Sequence, residues 1–112
     1  MEKGVNGWRI MWLLTAFDLP TKEKIDIRRY TRFRKLLLAN GFIQVQYSLY
    51  AKFYDTFAGA KAEAKDLKQY IPPQGSVMFF YLTDKQFGMT ENMIGRKKIK
   101  DPRLESRQLQ FF

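Results

Sequence analysis

The stretch Ile10-Met-Trp-Leu-Leu-Thr-Ala-Phe-Asp18-Leu-Pro20 constrains the fold more than any other. From Ile10 to Phe17 it carries one weakly polar residue, Thr15, and no charge. A run of this kind reads as a strand buried on both faces, central in a sheet. Pro20 has no N–H to give to a ladder, so it marks the strand's exit. Asp18 is then left at the carboxyl edge of a central strand, where the sheet is rigid and water can reach. A lone carboxylate at such a place can bind a hard cation such as Mg²⁺, or it can cap the turn and helix that follow.

Composition narrows the chemistry open to this carboxylate. The chain has 112 residues, of which 46% are apolar, with 10 Phe, 6 Tyr and 2 Trp. That suits one domain with a real core, expected over residues 8–112 behind a short flexible leader, 1–7. There is no Cys and no His. A disulfide framework, a thiolate metal site, the usual zinc ligands and a Ser-His triad are therefore all excluded. Catalysis would have to use carboxylates, Lys, Tyr, Ser or a metal-bound water. No run reaches the roughly 18 apolar residues of a membrane span, and the first residues lack a signal-peptide pattern, so no membrane association and a cytoplasmic location are expected. The net charge of +9 on so small a chain favours a polyanionic partner, nucleic acid first.

The remaining elements follow from pattern. Thr21 is a plausible cap for a helix from Pro20–Thr21 to about Asn40, stopped by Gly41. At about 100° per residue, Ile27, Tyr30, Phe33 and Leu37 form its apolar face. Lys24, Arg28, Arg32 and Lys35 form the opposite one, and Arg34 sits unusually at the apolar margin. Few acids accompany this basic stripe, only Glu23 and Asp26 early in the helix, so the stripe suits phosphates better than salt bridges. Residues 42–54 read as two antiparallel strands, 42–46 and 48–54, reversing near Gln46–Ser48. Asp55 or Thr56 caps a second helix over 56–70, whose Lys61, Lys65 and Lys68 alternate with Glu63 and Asp66 as a solvated face. Pro72-Pro-Gln-Gly75 is a turn. Ser76 to Thr83 reads as a second central strand, 84–87 as one helical turn and 88–95 as a weak strand. Residues 96–106 form a basic loop, and 107–112 a terminal strand. The order β-α-β-β-α-β predicts an α+β, ferredoxin-like sandwich on an antiparallel sheet.

At the residue level the chain resembles a known family. Phe17-Asp18-Leu19-Pro20-Thr21, Tyr30-x-x-Phe33-Arg34-Lys35-x-Leu37-Leu38, Gly41-Phe42 and Gln46-Tyr47-Ser48-Leu49-Tyr50-x-Lys52 are similar to motifs of the CRISPR-associated Cas-two family, most of all its type II versions. Asp84-Lys85-Gln86-Phe87 and Gly95 extend the likeness. The resemblance implies a homodimer, sheet facing sheet, with the C-terminal strand crossing to the partner's sheet. It implies an adaptor for spacer acquisition that bridges dimers of the CRISPR integrase subunit and holds a double-stranded DNA prespacer. It further implies a metal-dependent endonuclease acting on RNA or double-stranded DNA, with Asp18 as the catalytic and metal-binding residue for Mg²⁺ or Mn²⁺. Lys24, Arg28, Arg32 and Lys35 are the expected phosphate contacts, chosen from helix phase. The alternative is a stand-alone, toxin-like Mg²⁺-dependent ribonuclease.

Overall fold

In the computed structural model, residues 10–95 are described. The expected leader 1–7, basic loop 96–106 and terminal strand 107–112 lie outside them. The elements are β1 (Met11–Asp18), α1 (Lys24–Ala39), β2 (Ile43–Gln46), β3 (Leu49–Tyr54), α2 (Phe57–Leu67), β4 (Ser76–Thr83) and α3 (Asp84–Gly88). A 3₁₀ turn over Lys68–Tyr70 extends α2. The four strands form one antiparallel sheet in the order β2-β3-β1-β4. That is the βαββαβ sandwich the pattern predicts, with α1 and α2 layered on one face.

β1 is central, as its apolar run requires. β4 is not: its composition predicts a central strand, but among the described residues it pairs only with β1 and forms the sheet's edge. Its side chains alternate between exposed and half-buried. The apolar residues on its outer face, Met78 and Phe80, are 58% and 41% exposed. Residues 89–95 carry no strand, because Asp84 starts a helix whose Thr83 cap, closed by Gln86, turns the chain out of the sheet.

Local chemistry sets the helix limits. α1 begins at Lys24 rather than beside Thr21, because Glu23 is the cap and its backbone N–H donates to Asp26 at 3.2 Å. It ends where Gly41 takes φ = 90°, and the N–H groups of Gly41 and Phe42 close on the carbonyls of Leu38 and Leu37. Glycine adopts that left-handed conformation without strain. Thr56 caps α2, its hydroxyl accepting from Gly59 N–H at 3.0 Å.

The core lies between sheet and helices: Leu13 and Phe17 of β1, Phe33 and Leu37 of α1, Tyr50 of β3, and Ala60, Ala64 and Leu67 of α2. Fully burying each large apolar side chain is worth roughly 1.5–3 kcal/mol. Ile27 of the expected apolar face of α1, and Phe57 of α2, stay out of it. Ile27 and Phe57 are each 50% exposed, each in the first turn of its helix, and Phe57 keeps an edge-on ring contact with Tyr81 of β4 at 5.2 Å. Arg34 is half-buried beside Tyr50, whose phenol it pulls downward against the larger upward effect of burial.

Glu63 departs from the solvated face expected of α2. It turns inward, accepting from Tyr54 Oη at 2.8 Å and pairing with Lys52 Nζ at 3.3 Å. Lys52 also donates to the Asn40 carbonyl at the end of α1, at 2.6 Å. Burial, then the bond to Glu63 and its charge, hold the Tyr54 phenol far above its ordinary range. The folded chain therefore keeps a proton that the unfolded chain loses near pH 10. This stabilisation is fully present below pH 10 and falls as pH rises beyond it. Tyr54→Phe is expected to lower stability by about 1 kcal/mol at neutral pH and to flatten the alkaline loss. Urea midpoints at neutral pH and above pH 10 check both. Tyr30, Tyr50 and Tyr81, also raised by burial, leave a residual slope.

Candidate nucleic-acid interface and carboxylate site

Asp18 ends β1. Its ladder partner is Ser76 of β4, and on the other side the N–H of Phe17 donates to the Ser48 carbonyl at 3.0 Å. The strand direction alternates side chains, so Phe17 enters the core and Asp18 emerges on the opposite face, exposed. Downstream, Leu19 is buried under the turn at Gly75, so close that a Cβ added to Gly75 would collide with it. The carboxylate is thus held by rigid backbone on both sides while itself meeting solvent. It does not cap α1; Glu23 and Asp26 do that.

The face carrying Asp18 is the one without helices. Register places Trp12, Leu14 and Ala16 on it with Asp18, beside Leu49, Ala51 and Phe53 of β3 and Met78, Phe80 and Leu82 of β4. α3 covers one end, where Phe87 stacks on Trp12 at 4.2 Å and Trp12 Nε1 donates to Asp84 at 2.7 Å. At the other end lies an open cleft of about 700 Å³, with Ala16, Met78 and Phe80 on its floor and Asp18 and Ser76 at its rim. Thr90, Glu91 and Asn92 reach the same cleft, and Gln46 donates to Asn92 at 3.3 Å. Glu91 is a second carboxylate of this cleft that periodicity does not flag, because it follows the last regular element.

Among the described residues no group of three or more acidic, His or Cys side chains could hold a metal ion. What Asp18 offers is one exposed hard oxygen donor on a rigid strand end. That fits Mg²⁺ or Mn²⁺, since Mg²⁺ keeps most of its waters and takes one or two carboxylates plus phosphate oxygens. One chain therefore supplies part of a donor set.

α1 presents the basic stripe as the helix phase predicts. Arg28, Arg32 and Lys35 are exposed and, with Thr31, line a shallow depression of about 400 Å³. Lys24, also exposed, lies one turn earlier. The four span about 16 Å at 1.5 Å per residue. Sequence phase misses a second groove on the neighbouring side of α1, of about 430 Å³, where Arg29 and Arg32 meet Tyr70 and Pro72. No helix among the described residues is long and apolar enough to cross a membrane.

Fold and site together define a class: a ferredoxin-like α+β protein with one carboxylate at the end of its first strand and a basic first helix. Comparison with known proteins places it within that class. Residues 11–90 match the family model described as CRISPR associated protein Cas2. A protein of Flavobacterium psychrophilum named CRISPR-associated endoribonuclease Cas2 is 35% identical over 108 residues, covering 96% of this chain and 93% of its own length. One of the same name from Parvibaculum lavamentivorans is 39% identical over 102 residues, covering 91% of this chain and all of its own. The crystal structure of Streptococcus pyogenes Cas2 shares the fold, with a TM-score of 0.58 at 22% identity over 73% of this chain and 98% of that one. The chain belongs to the Cas2 family.

Proposed function

We propose that the protein is a cytoplasmic, homodimeric CRISPR adaptation factor that binds double-stranded DNA on its α1 stripes and carries a metal-dependent endonuclease site at Asp18. The observation that carries the reading is the placement of Asp18 at the rim of an exposed apolar sheet face. An apolar face of this kind calls for a covering surface, and a second copy docked sheet to sheet brings two Asp18 carboxylates to one axis. Two carboxylates complete the donor set that one chain leaves partial. Among the described residues the outer edge of β4 is unpaired, a template for strand addition, and a C-terminal strand from the partner, drawn from residues 107–112, is the proposed occupant. Bridging of integrase dimers and the type II assignment rest on the motif resemblance.

The proposed reaction is phosphodiester hydrolysis. The oxygen of water forms a bond to phosphorus, one P–O ester bond breaks, and the leaving oxygen takes up a proton. RNA is the first substrate to test, because the relatives are named endoribonucleases. A bound divalent cation would polarise the phosphoryl oxygen and lower the pKa of water. The chain's own task is to hold that cation at Asp18 and the backbone on α1.

The adaptor half of the proposal has a direct test. Duplex binding is expected to weaken steeply with salt, because each neutralised phosphate releases counterions. Arg28→Glu with Arg32→Glu is expected to reduce the slope of log affinity against log salt by about 2 without changing the thermal midpoint. An unchanged slope, measured by anisotropy over a salt series, would remove these residues from the interface.

A further inference from the structure

The turn between β2 and β3 forms one wall of the Asp18 cleft, and its own backbone does not account for its shape. Gln46 pairs with Leu49 across Tyr47 and Ser48, and a bulge lies between Gln44 and Gln46. The favoured hairpin turns of this length, types I′ and II′, place one or both central residues at positive φ, commonly with Gly or Asn there. Neither Tyr47 nor Ser48 takes a positive φ. A turn without that match to the sheet's twist splays its strands unless other contacts hold them.

α1 supplies such a contact. Tyr30 is half-buried, and its ring stacks on Tyr47 at 6.2 Å, with 29° between the planes. The same ring meets Phe17, the residue before Asp18, edge-on at 5.6 Å. Burial raises the Tyr30 phenol, and Ser48 and Tyr47 are the next side chains to act on it. β1 and the turn join at the same place, where the Phe17 N–H donates to the Ser48 carbonyl at 3.0 Å. One ring therefore touches both the strand end that carries Asp18 and the turn that faces it. The turn passes the constraint on: Gln46, Tyr47 and Ser48 line the cleft with Asp18, and Gln46 Nε2 donates to Asn92, the neighbour of Glu91, at 3.3 Å.

We infer that Tyr30 is a positioning residue for the carboxylate site, bracing the Gln46–Leu49 turn against the end of β1. Its ring packs with Phe17 on the helix side of the sheet, whereas Asp18 emerges on the face without helices. It acts through the backbone, by fixing where Phe17 meets Ser48 and so how far the turn stands from Asp18. The inference rests on the nuclease reading and deepens it by naming what holds that site's geometry.

The test compares Tyr30→Leu, Tyr30→Phe and Tyr47→Leu by two readouts: cleavage kinetics of a labelled RNA in Mg²⁺, and amide hydrogen exchange of Phe17 in EDTA. Tyr30→Leu is expected to speed Phe17 exchange about two- to ten-fold relative to amides in the middle of β1, the size of one lost aromatic pair. It is expected to lower kcat about ten-fold with KM and duplex affinity held, as a displaced site does. Tyr30→Phe keeps the ring and is expected to restore both. Tyr47 is 59% exposed, so Tyr47→Leu removes the other half of the stack with little effect on folding. It should speed Phe17 exchange equally, and the double variant should add nothing further. Should Tyr30→Leu fail to fold, Tyr47→Leu alone decides by the same two readouts. Unchanged Phe17 exchange, an additive double variant, a raised KM at constant kcat, or duplex affinity lost together with cleavage overturns the inference. An unmodified protein that cleaves no RNA in Mg²⁺ defeats the nuclease reading, while faster Phe17 exchange still shows the brace on the turn.

Discussion

Asp18→Ala is expected to lower divalent-cation-dependent cleavage about a thousand-fold while leaving the fold, dimer and duplex affinity intact. The size follows from what a metal supplies to a phosphoryl transition state, several kcal/mol, at about 1.4 kcal/mol per factor of ten. The selectivity follows from placement. Asp18 is exposed, and its backbone, not its carboxylate, ties β1 to β4 and to Ser48. Removing an exposed side chain of this kind changes stability by no more than about 0.5 kcal/mol. Cleavage in Mg²⁺ gives the first readout; sedimentation and duplex binding in EDTA give the second and third. Cleavage that survives the substitution would place the chemistry elsewhere, with Glu91 in the same cleft the next residue to replace. Loss of dimer or of duplex binding would mean that the carboxylate has a structural role its exposure does not suggest.

Phe80→Lys is expected to weaken self-association at least a hundred-fold. In the single chain Phe80 is 41% exposed on the sheet face away from the helices, so a lysine there reaches water and the subunit folds. In a sheet-to-sheet dimer each copy would carry an unpaired ammonium into an apolar contact, a penalty of several kcal/mol per ion. Because the proposed site pairs two Asp18 carboxylates across that dimer, cleavage should fall in step with association. Sedimentation equilibrium together with cleavage, across a range of protein concentrations, separates the effects. A variant that remains a tight dimer would show that another surface joins the subunits. A monomer with full cleavage would show that one Asp18 suffices.

Much of the architecture is legible because local chemistry and tertiary demand agree. The apolar run before Asp18, the turn at Pro72–Gly75 and the glycine at 41 mark boundaries that the folded chain keeps within a few residues. The basic stripe is legible because exposed helix residues answer to phase alone, and nothing in the core competes for Arg28 or Lys35. Other features were hidden for particular reasons. β4 reads as central because apolar composition reports how a strand's faces are covered, not whether both of its edges are hydrogen-bonded. Glu63 reads as solvated because helix phase does not reveal that Lys52 and Tyr54 wait on the adjacent strand. Thr21 reads as a cap because its type is favourable, yet the capping box opens two residues later, at Glu23, and closes on Asp26.

The sequence by itself determined the order of elements, the central place of β1, the absence of histidine and thiolate chemistry, and the cationic face of α1. Those properties live in residue type and spacing. Only the tertiary structure decided that Asp18 stands exposed at the rim of an apolar face, that β4 lies at an edge among the described residues, and that Tyr70, Arg29 and Arg32 line one groove. Each depends on which distant segments the packing of helices on the sheet brings side by side, and no local periodicity encodes that.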